Sequence, residues 1–462
     1  MANLPATGAT AKGSQQPSRS LRIAPSSIGA AEIQSRCRPT SYLVVSTFLA
    51  MPAQTTSPKT VSLFSAVVVV ASLGYFVDIY DLVLFSIVRV KSLNELGITA
   101  PDAVRDQGLY LLNMQMAGML VGGILWGILG DKRGRLSVLF GSILIYSLAN
   151  IVNGFAMTVT EYAWLRLVAG IGLAGELGAG ITLVAESLPK EKRGYGTMIV
   201  ATVGVSGALL AYWVGERFGW RNAYFIGGGL GLALLALRVG VFESGLFVQA
   251  RQGQVERGNF FSLFTDGARL RRYLQCLLIG VPLWFVVGIL ITLAPEFGRA
   301  FELQGEVTGG LSIFWSYFGL VFGDFLSGSL SQWIRSRNRA LQIFIACCFV
   351  LVGVYLFGLH GATPQTFYAV CFVLGVTIGF WALFVTVAAE QFGTNLRATV
   401  ATTAPNFARG SIIVLTPAFQ TMAGPLGIVG SAAVLGFVTL ALAFWSVSAL
   451  PESYGKNLDY YE

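Results

Sequence analysis

The sequence predicts an all-α membrane protein, with twelve transmembrane helices in two pseudo-symmetric six-helix bundles. Three observations carry this. Of 462 residues, 54% are hydrophobic and 12% charged, with a mean hydropathy of +0.67, whereas soluble domains carry roughly 25% charged residues. The apolar residues come in blocks of about 20 or more, the length an α-helix needs to cross a hydrocarbon core of ~30 Å. The second half also repeats features of the first at a nearly constant offset.

Taken in order, the apolar runs place helices near 61–88, 109–130, 136–157, 161–187, 196–216 and 222–242, then 273–295, 308–333, 339–359, 364–390, 397–423 and 427–449. Residues 1–60 are of another kind, rich in Ser, Thr, Ala, Pro and Gln, with six Lys/Arg against the single acid Glu32. That composition predicts a disordered tail, with Met51 as an alternative start. The domain plan is 61–242 for the N-terminal bundle, 243–272 for a basic linker, 273–450 for the C-terminal bundle and 451–462 for a tail. With both termini cytoplasmic, inside loops and the C-terminal tail hold 16 Lys/Arg against six in outside loops, and the N-terminal tail adds six more inside. This asymmetry predicts a multi-pass protein of the plasma (inner) membrane with both ends in the cytoplasm. Basic residues spread over loops instead of one stripe argue against a nucleic-acid partner.

The repeat is read from two echoes. Ala185-Glu186 is followed by Arg193-Gly194, and Ala389-Glu390 by Arg397-Ala398, an offset of 204. Trp126-Gly-Ile-Leu-Gly-Asp131 is echoed by Ser327-Gly-Ser-Leu-Ser-Gln332 at an offset of 201, each at the inner end of the second helix of its half.

Gly127-Ile-Leu-Gly-Asp131-Lys-Arg133-Gly134-Arg135 resembles the loop motif between the second and third helices of the major facilitator superfamily, and the resemblance covers residues 61–455. It implies a transporter with a central cavity between the halves, working by alternating access. It also implies gating roles for Gly127 through close helix approach, for Asp131 at the amino end of the eleventh helix, and for Arg135 opposite a carboxylate such as Glu186. Without the family, an acid at a helix amino end gains ~0.3–1 kcal/mol. Asp131, Arg135, Glu186 and Arg193, with Glu390 and Arg397, are candidates for a cytoplasmic charge network that forms in one conformation and breaks in the other.

Charges within the spans are the sharper signal. A charge at the bilayer centre costs ~2.5–3.5 kcal/mol on insertion scales, so each must find a partner, face the interior or titrate. Asp78 and Asp81 lie three apart on the first helix, and Asp81 and Arg166 fall at the same depth, which predicts an ion pair; Asp78 lies deeper, near Glu176. Asp78, Asp81, Arg166 and Glu176 are the proton-coupling candidates. On the eleventh helix, Asn406 and Arg409 share a face near the midplane and suit an anionic substrate; Tyr80, Trp284 and Trp381 are candidate cavity aromatics. Asp324 is expected to pair with Arg409 or with the Arg335, Arg337 and Arg339 cluster. Val77-Asp-Ile-Tyr-Asp-Leu-Val-Leu-Phe85 also resembles the first-helix motif of the superfamily's metabolite:proton and aromatic acid:proton symporters, and Arg166-Leu-Val-Ala-Gly-Ile-Gly-Leu-Ala-Gly-Glu176 is similar to their fourth helix. Ile79 departs from the glycine usual in the aromatic-acid group.

Gly170-Ile-Gly-Leu-Ala-Gly175 fits GxGxxG, but no strand precedes it, so it reads as helix packing and not a dinucleotide loop. The five cysteines show no CxxC or Cys/His spacing and read as packing residues; the single histidine, His360, cannot build a metal site. No nucleophile, base and orienting group converge, so neither an enzyme nor a cofactor is expected. The expected partners are a small-molecule substrate, protons and the lipid bilayer, for a monomer. An exporter or antiporter of the same fold is the rival reading, and a non-transporting receptor a more distant one.

Overall fold

The computed structural model describes residues 65–243 and 260–456, apart from 134, 177, 179, 181–183, 185–187 and 189–192. The side chains of 66, 130–137, 193–194, 240–243, 394 and 398 also lie outside the description. So do the N-terminal tail, the linker up to 259 and, among the gating candidates, Glu186 and the side chains of Asp131, Arg135 and Arg193.

Among the described residues every regular element is helical: α1 Ala66–Glu95, α2 Pro101–Arg133, α3 Arg135–Asn153, α4 Val159–Leu173, α5 Arg193–Val205, α6 Gly207–Phe218, α7 Trp220–Glu243, α8 Gly267–Phe285, α9 Ala294–Ala300, α10 Gly309–Trp333, α11 Arg337–Phe357, α12 Pro364–Ile378, α13 Trp381–Glu390, α14 Thr394–Gly410 and α15 Ile412–Ala449. Several starts are written in the sequence. Thr158 accepts from Glu161 N in a reciprocal capping box, and Thr308, Ser336 and Thr363 cap α10, α11 and α12 through their side chains.

Twelve passes result, but several are broken where the sequence predicts one continuous helix. The fourth turns at Ala174-Gly175. The seventh passes from α8 through a π-helical stretch, Val286–Ile291, into α9. The tenth breaks at Gly379-Phe380, where Gly323 of α10 lies against Gly379 so closely that no side chain fits. α15 reverses at Gly427, whose φ of 66° a side chain would disfavour, so its two parts serve the eleventh and twelfth passes. Among the nine long apolar spans of the described residues, those of the first and seventh passes are the most enclosed, each 78% buried over its apolar window, against 39% for Trp220–Val239 and 44% for Arg337–Phe357. Exposed Leu144, Leu148, Val152, Trp164, Phe349, Val350, Phe437 and Trp445 form the outward apolar belt.

The glycines of the GxGxxG string hold helices together. A methyl group on Gly118 or Gly122 of α2 would overlap the Leu167 or Ile171 carbonyl of α4, and one on Gly170 would overlap the Gln115 carbonyl. The second half does the same at corresponding positions: Gly319 and Gly323 of α10 meet the Phe372 and Val376 carbonyls of α12, and Gly375 meets the Ser316 carbonyl. The offset on α2/α10 is 201 residues, equal to the echo read from the inner loops. Because the obstacles are backbone atoms, neither crossing can relax by moving a side chain. Gly118→Val and Gly375→Val should each lower stability by at least ~1–3 kcal/mol, seen as a lower melting temperature of the purified protein, while Gly229→Ala, with open space around it, should not.

The chain after the last helix is tied down. Glu452 accepts from the Arg337 and Asn338 amides and from the Ser336 hydroxyl, and Gln391 Nε2 donates to the Pro451 carbonyl at 2.7 Å. Partial burial disfavours the charged Glu452, but these hydrogen bonds outweigh it and hold the carboxyl below its ordinary range.

Candidate functional site

The interior charges converge on α1. Asp78, Asp81, Arg166, Asp324 and Arg409 are wholly buried, and Glu176 and Arg238 are 1% exposed. Asp78 of α1 lies 3.6 Å from Arg409 of α14 (Oδ2 to Nη2), an ion pair that joins the two halves. At that distance it is loose. Neither Asp78 oxygen accepts a hydrogen bond, and Arg409 Nε, Nη1 and Nη2 have no acceptor among the described residues. The guanidinium is held instead between two indoles, 5.8 Å from the Trp284 ring centre and 5.6 Å from that of Trp381, the rings inclined at 74° to each other. This is cation–π geometry. The π-helical turn after α8 follows Trp284 by two residues, and the break before α13 places Trp381 at a helix start, so irregular backbone brings both rings to the arginine.

Asp81 does not pair with Arg166 as its depth predicts. Three residues along a helix leave two side chains about 60° apart in azimuth, and Asp81 points toward α7, where its Oδ1 lies 2.5 Å from the position a Cβ on Gly227 would take. Arg166 turns to α3, donating from Nη2 to Asn150 Oδ1 at 2.6 Å, and stacks 4.7 Å over the Tyr224 ring. Among the described residues no ion pair within 4 Å joins it to Asp81, and both Asp81 oxygens lack a hydrogen-bond partner.

Glu176 binds elsewhere. Both its oxygens accept from Arg238 of α7, Nη1 to Oε2 at 3.0 Å and Nη2 to Oε1, and a side chain on Gly74 of α1 would overlap both partners. Arg238 was missed by sequence reasoning although the signal was plain, a cation inside the apolar run 230–241. Asn150, in the third span, was equally visible as a buried amide.

Of the predicted substrate ligands, Arg409, Trp284 and Trp381 assemble; Asn406 and Tyr80 do not join them. Asn406 Nδ2 donates to the Ala174 and Thr402 carbonyls at 2.8 and 3.0 Å, using the acceptor freed by the turn in the fourth pass. The Tyr80 hydroxyl donates to the Ala223 carbonyl at 2.9 Å. Asp324 pairs with neither predicted partner: its Oδ1 accepts from Ala382 N at 3.1 Å, capping α13 after the break.

Of the predicted inner network, the described side chains are those of Glu390 and Arg397. Glu390 lies 3.5 Å from Arg337 and accepts from the Ser453 hydroxyl, while Arg397 is half-buried at the start of α14. A methyl on Gly127 would sit 3.9 Å from Thr403, in ordinary contact; the tight approach to α14 is at Gly123, 3.2 Å from Asn406 Cβ. At the other end, Arg89 of α1 donates to both oxygens of Glu296 at 2.9 Å and to the Thr292 carbonyl at 3.1 Å. Both side chains are buried, and they close that end between the halves.

Residues 64–417 match the Major Facilitator Superfamily. The chain belongs to that superfamily. Its curated relatives include the probable 4-methylmuconolactone transporter of Cupriavidus pinatubonensis, 25% identical over 84% of this chain and 90% of the relative, and the cis,cis-muconate transport protein of Acinetobacter baylyi, 26% identical over 84% and 94%. The structure of the proton:xylose symporter XylE bound to 6-bromo-6-deoxy-D-glucose covers 85% of this chain and 97% of that one, with a TM-score of 0.64 at 17% identity, which shows a shared fold. This major facilitator protein is thus a multi-pass membrane transporter of a small molecule.

Proposed function

We propose that the protein is a proton-coupled symporter of a small organic carboxylate, aromatic or otherwise planar and unsaturated, working by alternating access in the plasma membrane with both termini cytoplasmic. The observation that carries this is Arg409, buried between two indoles without a hydrogen-bond acceptor among the described residues and only loosely paired with Asp78. A guanidinium in that state offers a carboxylate two parallel hydrogen bonds, and the indoles supply apolar faces for a flat substrate. Transporters of gallate, gentisate and niacin among the relatives agree in chemistry.

Coupling follows from competition. A substrate carboxylate on Arg409 removes the cation from Asp78, and a buried carboxylate without a partner favours its protonated form. A proton therefore arrives with the substrate. Asp81, opposite Arg166, is the second acceptor, and Glu176, engaged with Arg238, clamps α1. The two bundles rock about this centre, with Arg89–Glu296 latching the outer end.

Proteoliposome uptake tests the reading. Gallate, gentisate, niacin or cis,cis-muconate should accumulate under an inward proton gradient and collapse with a protonophore. Asp78→Asn and Asp81→Asn should lose gradient-driven accumulation while still exchanging preloaded substrate; a variant that still concentrates substrate removes that aspartate from coupling.

A further inference from the structure

Asp324 is a buried carboxylate that the scheme above leaves unused. Its Oδ1 is committed to the Ala382 amide, but its Oδ2, also buried, has no hydrogen-bond partner among the described residues. The Ser327 hydroxyl one turn on donates to the Asp324 backbone carbonyl and not to the carboxylate. The residue lines a cavity of about 380 Å³ whose wall runs along α10 to Gln332 and Trp333 and includes Arg337 of α11, Tyr195 of α5 and Thr386 of α13. Trp333, at the far end, is 82% exposed. From Asp324 to Gln332 is about 12 Å along the helix, and the far end carries the Arg337–Glu390 pair, the cytoplasmic side in the proposed topology.

On its inner side Asp324 adjoins the Arg409 centre: the Ala382 amide from which its Oδ1 accepts follows Trp381, one of the two indoles around the guanidinium. The ionisable side chains that share this cavity with Asp324 are Tyr195 and Arg337, and among the described residues neither forms an ion pair with it.

We propose that Asp324 is the proton-release group of the transport cycle, receiving the coupled proton from Asp78 and passing it to water in the cavity that opens beside Arg337. The inference rests on the symport reading. In the step, the O–H bond of protonated Asp78 breaks, the proton binds Asp324 Oδ2, and the Asp78 carboxylate returns to Arg409. The Asp324 O–H bond then breaks to water, restoring the carboxylate. No electrons are exchanged, and one proton crosses from α1 to the C-terminal half.

The experiment uses the full chain in proteoliposomes carrying an internal pH dye, with radiolabelled gallate, gentisate, niacin and cis,cis-muconate each as probe. Asp324→Asn retains an oxygen for the Ala382 amide, and Asp324→Glu retains the acid. In the wild type, substrate entry should acidify the lumen. With Asp324→Asn, net accumulation should fall to the level set by exchange alone and the acidification should disappear, with exchange kept; Asp324→Glu should restore part of both. If the wild type takes up substrate with no proton movement, the symport reading itself falls and this proposal with it. If the wild type is coupled and Asp324→Asn is equally coupled, only the release role is overturned. It is likewise overturned if Asp324→Asn loses exchange together with accumulation and Asp324→Glu restores neither, since that marks a purely structural carboxylate.

Discussion

Replacing Arg409 with alanine is expected to abolish substrate binding. A buried charge contact removed from one side costs ~2–5 kcal/mol, which at 1.4 kcal/mol per tenfold corresponds to a roughly 30-fold or greater loss of affinity. Arg409→Lys should fail nearly as badly. The ammonium is a point charge that cannot present two parallel donors or lie flat against the Trp284 and Trp381 rings. Removing Arg409 also strips Asp78 of the one cation within 4 Å among the described residues, so Arg409→Ala/Asp78→Asn is the informative companion. The double variant should regain thermal stability without regaining binding, because the stability defect comes from the stranded carboxylate and the binding defect from the missing guanidinium. Ligand-induced shifts in melting temperature with gallate or cis,cis-muconate read both. Undiminished affinity in Arg409→Ala would remove the residue from the site.

The second large effect concerns the clamp on α1. Arg238→Ala leaves Glu176 buried without its bidentate partner, and breaking one side of a buried pair costs ~3–5 kcal/mol. Little folded protein should survive extraction. Replacing both partners, Glu176→Gln with Arg238→Met, removes the stranded charge and should recover most of the loss, since a well-filled apolar substitute for a buried pair is often neutral. Gly74→Ala should resemble the single variant, because the added methyl overlaps both partners of the pair. Chemical denaturation in detergent distinguishes these outcomes, and a double variant no more stable than Arg238→Ala would show that packing around α7, not charge, sets the cost. If Glu176 is a clamp and not a proton carrier, the recovered double variant should still accumulate substrate under a proton gradient.

How far the site was legible follows the same division. Asp78, Asp81, Arg166, Glu176, Asp324 and Arg409 stand out in the sequence because ionisable residues interrupt apolar runs, and lipid tolerates them only inside the bundle. Arg238 obeys the same rule and was equally readable. Partners were another matter. Counting residues along a helix gives depth, and depth put Asp81 level with Arg166; it gives no azimuth relative to a neighbouring helix, and azimuth turned Asp81 to Gly227 and Arg166 to Asn150.

By itself, the sequence determined the all-helical membrane fold, the two-fold repeat and the list of interior charges, because each rests on local quantities: run length against bilayer thickness, spacing along the chain, and the cost of a charge in lipid. The glycine pairs Gly118/Gly319 and Gly122/Gly323 carry the repeat into helix packing at the offset the inner loops announce. Only the tertiary structure decided that Asp78 belongs to Arg409 across the halves and that Glu176 belongs to Arg238. It also decided that Asn406 and Tyr80 tie backbone carbonyls, and that breaks at Gly379 and after Phe285 present Trp381 and Trp284 to one guanidinium. Those choices depend on how each helix is rotated about its own axis, and that rotation is set by contacts between residues hundreds of positions apart, which hydropathy and spacing along one chain do not encode.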